Sequence, residues 1–157
     1  NSTREMLWLN AVMCQALSRN TRVMKAVSPF SAAGPCTEMV VYEQVAVALA
    51  SCVSGAHLNP SATARNKYPE YSSGMEARFA MEAGHLAARQ RITREQANEI
   101  VKCLLGEYEH MIATAPLGKR FDECYNLATV QPTGEYLDLY ERCKEKMSSF
   151  GLDYSLL

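Results

Sequence analysis

The sequence of 157 residues lacks the short motifs that mark most nucleotide and metal sites. It contains no G-x-G-x-x-G run, and around Gly118 and Lys119 a phosphate-binding loop would need Gly and Ser or Thr where Ala113 and Arg120 stand. None of the six cysteines forms a C-x-x-C pair, no H-E-x-x-H occurs, and the three histidines are far apart. The sequence therefore predicts no metal site and no bound nucleotide.

An excess of charge and a long apolar run are also missing. The net charge is -1, which argues against a surface for nucleic acid. Glu43 and Gln44 interrupt the most apolar stretch well short of the ~20 residues that cross a bilayer, and no signal-peptide pattern is present. Most cysteines lie in helical patterns, where free thiols behave as small apolar groups. We expect a cytoplasmic protein without disulfides, membrane contact or nucleic-acid partner.

The composition, 48% hydrophobic and 21% charged, is that of a folded chain. Residues 1–157 read as one unit with no internal boundary, mostly helical, with at most two short strands. Ser2 and Glu5 fit a capping box, as do Thr93 and Gln96, and Thr133 is a further cap. The predicted elements are helices at 6–17, 36–54, 74–90, 94–113, 121–125 and 134–151, strands at 21–28 and 56–59, and a long loop over 56–72.

Two of these helices are apolar on nearly every face. The patterns at 3–17 and 36–54 show no single apolar stripe, whereas the helix after Thr93 shows a clean one. A helix that is apolar all round must be covered all round, and each large aliphatic side chain left exposed costs about 1.5–3 kcal/mol. We therefore expect further protein, from missing residues or other subunits, to pack against both helices.

Two stretches contain candidate site residues. In "SAAGPCTEMVVYEQ", Pro35 is suited to a helix start, and Cys36 in the first turn is either a nucleophile, if a histidine lies nearby, or a packing residue. In "SSGMEAR", Glu76 and Arg78 face different sides of a helix start. Glu76 either favours the helix dipole or lines a site beside the long loop.

Five stretches resemble a known family. "NSTRE", "AGPCTEM", "SGMEAR", "TAPLGKRFDECYN" and "VQPTGEYLDLY" are similar, in order and spacing, to the C-terminal third of monomethylamine:corrinoid methyltransferases. The resemblance covers nearly the whole chain. It implies the C-terminal part of a (β/α)₈ TIM-type barrel with additional C-terminal helices, in a homo-oligomer. It also implies that Gly34 permits a close backbone path and that Cys36 is a packing residue near the barrel mouth, the end where the carboxyl ends of the strands lie.

The resemblance further implies a reaction. Members of this family move a methyl group from methylamine to the Co(I) of a corrinoid (cobalamin) carried by a separate partner protein, so the chain itself is expected to bind no cofactor. Methanogen members hold pyrrolysine in the barrel, in a part that would precede residue 1. The family also places a glutamine near that residue where this sequence has Ser28. A hydroxyl lacks the reach of an amide, which leaves open which methylated amine is the substrate.

Four residues are predicted at the barrel mouth: Ser28 and Glu76 as catalytic groups, and Glu38 and Arg78 as contacts for substrate or partner. The alternative to an enzyme is a relative without catalysis, or without pyrrolysine, that serves as a scaffold for the corrinoid protein or for subunits. An unrelated helical protein with an ordinary core is the third hypothesis.

Overall fold

The computed structural model describes residues 1–59, 64–65 and 67–157, in which helices predominate. Part of the predicted loop at 56–72 lies outside the described residues. The elements in chain order are α1 (Arg4–Asn20), β1 (Ala26–Val27), α2 (Glu38–Cys52), β2 (His57–Leu58), α3 (Gly74–Arg89), α4 (Arg94–Tyr108), α5 (Phe121–Cys124), β3 (Tyr125–Asn126), β4 (Gln131–Pro132) and α6 (Gly134–Ser149). Two 3₁₀ turns, Glu109–Thr114 and Tyr154–Leu156, complete the described elements.

Strands β1 and β2 pair in parallel, with Ala26 opposite His57 and Val27 opposite Leu58. Helix α2 connects them, and α3 follows β2, so the chain contains a β–α–β–α succession. Parallel neighbours joined by a crossover helix are the repeating unit of α/β barrels. Both loops that leave these strands, and the start of α2, therefore lie at one end of the sheet.

Helix α2 is the centre of the core. Twelve of its fifteen residues are buried, and it packs against α1, α3, α4 and α6. The expectation that further protein must cover this helix is wrong, because the chain's own helices surround it. Sequence alone could not show this, since the amphipathic faces of α3 and α4 fold back over α2 from later in the chain.

Helix α1 is different, because only part of its apolar surface is covered. Leu7 and Cys14 are buried against the core. Its other large apolar side chains are exposed to a considerable degree: Met6, Trp8, Leu9 and Val12. Trp8 is 67% exposed, and it lines a groove of about 370 Å³ between α1 and α4. For this helix the expectation of apolar surface left uncovered by the chain is confirmed.

Several local predictions need correction. The N-cap of α1 is Thr3, whose hydroxyl accepts from the Met6 amide, while the Ser2 hydroxyl instead donates to Glu43. The predicted strand 21–28 shrinks to Ala26–Val27, because Val23 and Met24 are exposed. Thr133 occupies the N-cap position of α6 without a capping hydrogen bond from its side chain.

The start of α2 also differs from the prediction. Thr37 is the N-cap, and its hydroxyl accepts from the Val40 amide, so Pro35 and Cys36 precede the helix. Cys36 has a φ of 60°, in the left-handed region that non-glycine residues rarely adopt. The capping box of α4, Thr93 with Gln96, is confirmed, although the α-helix ends at Tyr108 and a 3₁₀ turn continues it to Thr114.

Candidate functional site

The candidate site lies at the carboxyl ends of β1 and β2. Ser28 follows β1 directly and Asn59 follows β2 directly, and the Asn59 Nδ2 lies 3.4 Å from the Ser28 Oγ, to which it donates. Because parallel strands end at the same edge, the two polar side chains meet there. Ser28 is half-buried and Asn59 is exposed, so solvent or a ligand reaches the pair.

The second predicted catalytic residue, Glu76, lies in the first turn of α3 and is buried. The Ser73 amide donates to its Oε2 at 2.6 Å as part of a capping box, in which the Ser73 hydroxyl oxygen accepts from the Glu76 amide. The Ser73 hydroxyl also donates to the Glu76 Oε1 at 2.9 Å. Tyr136, from α6, also donates its hydroxyl to Oε1. Burial raises the pKa of Glu76 to about 7, while the bonds from Tyr136 and Ser73 pull it down.

Tyr136 connects three elements at this end of the molecule. Its hydroxyl donates to Glu76 and lies 3.3 Å from the Ser73 Oγ at the start of α3, and the backbone of Cys36 ahead of α2 lowers its pKa. Burial, then the charge of Glu76, raises the pKa of Tyr136, so the phenol remains protonated. Helix α6 therefore contacts the start of α3 and a residue that precedes the start of α2.

Cys36 does not have the surroundings of a nucleophile. Burial raises the pKa of its thiol, and the carboxylate of Glu135 raises it further. Because Cys36 precedes α2 in a left-handed conformation, it is outside the first turn, where the helix dipole would stabilise a thiolate. The structure supports the interpretation of Cys36 as a packing residue.

The stretches around Gly34 and Gly118 cross at van der Waals distance. A Cβ on Gly34 would lie 1.7 Å from the carbonyl oxygen of Leu117, and one on Gly118 would lie 2.1 Å from that of Pro35. The Gly34 amide donates to the Pro116 carbonyl at 3.0 Å, and the Lys119 amide donates to that of Pro35 at 2.9 Å. The predicted close backbone path at Gly34 is confirmed.

Glu38 and Arg78 are exposed at the starts of α2 and α3. Glu38 accepts from the Tyr42 hydroxyl at 3.2 Å and lies 3.9 Å from Arg142. Arg78 forms a 2.7 Å ion pair with Glu82, apart from Glu76 as predicted. Exposed pairs of this kind contribute little stability.

The structure does not join all four predicted residues into one cluster. Ser28 is bonded to Asn59, whereas Glu76 belongs to the cluster around Tyr136, and no hydrogen bond or ion pair connects the two groups among the described residues. Sequence reasoning missed Asn59 and Tyr136. Ser28 was selected through the family's glutamine position, whereas a search for polar residues at the ends of the predicted strands would have found Asn59 as well.

The described part of the chain contains neither a metal-binding cluster nor a helix able to cross a membrane. Residues 1–59, 64–65 and 67–157 contain no group of three or more His, Cys, Asp and Glu side chains placed to hold a metal ion. In the same residues, no helix combines the length and the apolar character that crossing a bilayer needs.

A parallel strand pair joined by a crossover helix defines the class as α/β, with the candidate site at the carboxyl ends of the two strands. The sequence matches the family model "Monomethylamine methyltransferase MtmB" over residues 1–152. The chain therefore belongs to the MtmB family, as its five motifs predicted.

Individual relatives agree with this assignment. The chain is 34% identical to monomethylamine methyltransferase MtmB of Methanosarcina mazei and 35% identical to MtmB1 of Methanosarcina barkeri, in each case over 96% of this chain and 33% of the relative. A crystal structure of the M. barkeri enzyme matches with a TM-score of 0.91 and 32% identity, over 98% of this chain and 33% of that one.

The chain thus spans about a third of the length of the relatives it matches. The matched part is their C-terminal third. The predicted fold class, the C-terminal part of a (β/α)₈ barrel with additional helices, is confirmed.

Proposed function

We propose that the protein containing this chain transfers a methyl group from monomethylamine, or a related methylated amine, to the Co(I) of a corrinoid on a cognate partner protein. The observation that supports this most is the family match over residues 1–152. A solved relative described as the hydroxylamine MtmB complex, which matches with a TM-score of 0.91, binds a small nitrogen compound. In this proposal the barrel mouth holds the amine.

The residues at the mouth suit a small amine. The Ser28 hydroxyl can donate or accept, and the Asn59 amide presents one acceptor and two donors. Together they can orient a nitrogen at the carboxyl ends of β1 and β2, where barrel enzymes bind substrates. Orientation matters because the methyl carbon of an amine is a poor electrophile, and a fixed near-attack geometry contributes much of the rate.

The corrinoid supplies the nucleophile, Co(I). The C–N bond breaks as the Co–C bond forms, and the amine nitrogen leaves with the electron pair and takes up a proton. If the complete protein carries pyrrolysine, that residue would bind the amine nitrogen, and Ser28 and Asn59 would contact the same amine. Glu38 and Arg78 are proposed contacts for the partner, because they are charged, exposed and at the mouth end.

Glu76 is proposed to act without touching the amine. Its oxygens are occupied by Ser73 and Tyr136 and its side chain is buried, so it is suited to fixing the start of α3. The exposed apolar face of α1 fits the expected homo-oligomer or the remainder of the barrel.

The test uses the complete protein with its reduced corrinoid partner. Addition of monomethylamine should convert the Co(I) absorption spectrum to that of methyl-Co(III), and the Ser28→Ala variant should do so more slowly. Glu99→Gln, on the exposed face of α4, is the control and should match the wild type. No spectral change with any methylamine would refute the enzyme, and if the corrinoid protein still bound, the scaffold hypothesis would replace it.

A further inference from the structure

The segment from Ser28 to Ala33, which leaves β1 at the mouth, is held by side chains from other parts of the chain. Asn1 brackets it at one end: its Nδ2 donates to the Ser28 carbonyl at 2.8 Å, and its Oδ1 accepts from the Phe30 amide at 3.0 Å. One side-chain amide therefore binds the peptide groups on both sides of Pro29. Because an amide has a donor and an acceptor in fixed geometry, it sets the direction of this backbone.

Glu43 holds the other end from within α2. One of its carboxylate oxygens accepts from the Ala32 amide at 2.7 Å and from the Ser2 hydroxyl at 2.5 Å, and the other accepts from the Ala33 amide at 2.9 Å. The neighbouring Gln44 donates from its Nε2 to the Pro29 carbonyl at 3.1 Å. Both side chains are fully buried.

These two polar residues are exceptions in their helix. The buried positions of α2 are otherwise almost all apolar, and an apolar residue at position 43 would avoid the cost of burying a carboxylate. Burial raises the pKa of Glu43, and the three donors lower it again, so the bonds to the loop offset part of that cost. Within the described ranges, this costly buried carboxyl group forms its hydrogen bonds with the loop and with Ser2.

We propose that Asn1 and Glu43 are positioning residues: they fix the backbone of residues 28–33 and so orient Ser28 towards the amine. This inference rests on the proposed function for its kinetic consequence. The structural part of the inference, that two specific side chains hold the loop, does not depend on any activity. Asn1 lies before α1, the loop follows β1, and Glu43 lies in α2, so three distant parts of the chain meet here.

The kinetic test is a double-mutant cycle in the complete protein with the reduced corrinoid partner. Asn1→Ala should lower kcat/KM for the amine by roughly 10- to 100-fold, because small misplacement at a reacting centre has effects of this order. The KM for the corrinoid protein should not change. Asn1→Asp, which keeps the acceptor for the Phe30 amide, should recover part of the loss. Asn20→Ala, at the far end of α1, is the control.

The energetic coupling between the Asn1 and Ser28 substitutions distinguishes a positioning role from an effect on overall stability. When Ser28→Ala is already present, Asn1→Ala should cost less than threefold, because both act through one hydroxyl. The inference would be overturned if the losses in kcat/KM from Asn1→Ala and Ser28→Ala multiplied in the double variant. It would also be overturned if either single variant kept the kcat/KM of the wild type. Glu43→Gln should behave like Asn1→Ala, and if it fails to fold the Asn1 cycle still decides.

Hydrogen exchange tests the same inference without activity. The amides of Phe30, Ala32 and Ala33 should exchange slowly in the wild type. Phe30 should lose protection in Asn1→Ala, and at least one of Ala32 and Ala33 should lose it in Glu43→Gln, because Gln keeps a single acceptor oxygen. Asn20→Ala should change none of them. If the wild type transfers no methyl group but these amides respond as described, the proposed function fails and the holding of the loop stands. If exchange is unchanged in both variants, the inference itself fails.

Discussion

The buried carboxyl of Glu76 should make the free energy of unfolding depend on pH. Its pKa in the folded protein is raised to about 7 by burial, against an ordinary value of 4.5. Between these two values the folded state keeps a proton that the unfolded state has lost. The protonated carboxyl therefore contributes stability that is fully present below pH 4.5 and is lost as the pH rises through 7.

The size of the effect follows from the shift. One pKa unit corresponds to about 1.4 kcal/mol, so the rise from 4.5 to 7 corresponds to about 3 kcal/mol, lost at about 1.4 kcal/mol per pH unit. Above pH 7 the contribution has a flat pH dependence, because the carboxyl is ionised in both states. Glu43, whose pKa burial also raises, adds a slope of the same sign. Comparing wild type with Glu76→Gln isolates the part that belongs to Glu76.

The assay is urea unfolding of wild type and Glu76→Gln at constant ionic strength between pH 5 and 8. The difference in unfolding free energy between the two should change by about 2.5 kcal/mol in favour of the variant over that range, since the remainder of the effect lies below pH 5. Infrared spectroscopy should show a protonated carboxyl in the wild type at pH 6 that is missing from the variant. Glu99→Gln is the control, because Lys102 lowers the pKa of Glu99 and its titration lies below this window. Parallel pH profiles for wild type and Glu76→Gln would refute the reasoning.

Two further predictions concern glycine and cysteine. Gly34→Ala should destabilise the protein by at least about 3 kcal/mol, since its Cβ would meet the Leu117 oxygen at 1.7 Å, whereas Gly106→Ala, in open space on α4, should stabilise it by about 0.5–1 kcal/mol. Melting temperatures measure both, and equal effects would contradict the crossing of the two loops. Cys36→Ala should retain methyl transfer within about threefold; a loss of 100-fold or more would show that the thiol takes part in the chemistry, since that is the size of effect expected of a reacting group.

Local chemistry made some elements predictable from sequence. The capping box of Thr93 and Gln96 lies within four residues and α4 has one apolar stripe, so that helix begins where expected. Helix α3 likewise begins at Gly74, after Ser73. The close path at Gly34 was predicted through the family's motif, and the structure adds its partner, the Leu117 carbonyl.

The remaining features depend on contacts between distant parts of the chain. Glu43 reads in the sequence only as an interruption of an apolar run, because the amides it binds belong to another segment. Most of the cover over α2 comes from α3 and α4, which follow it in the chain, so the apolar pattern of α2 alone predicted further protein there. Tyr136 lies 60 residues from Glu76, and no local pattern indicates that contact.

The most direct measurement is a crystal structure of the complete protein with hydroxylamine or monomethylamine bound. The account predicts the nitrogen compound at the carboxyl ends of β1 and β2, facing Ser28 and Asn59, with the loop of residues 28–33 still bonded to Asn1 and Glu43. A ligand bound at the opposite end of the strands, or in the groove beside Trp8, would contradict it.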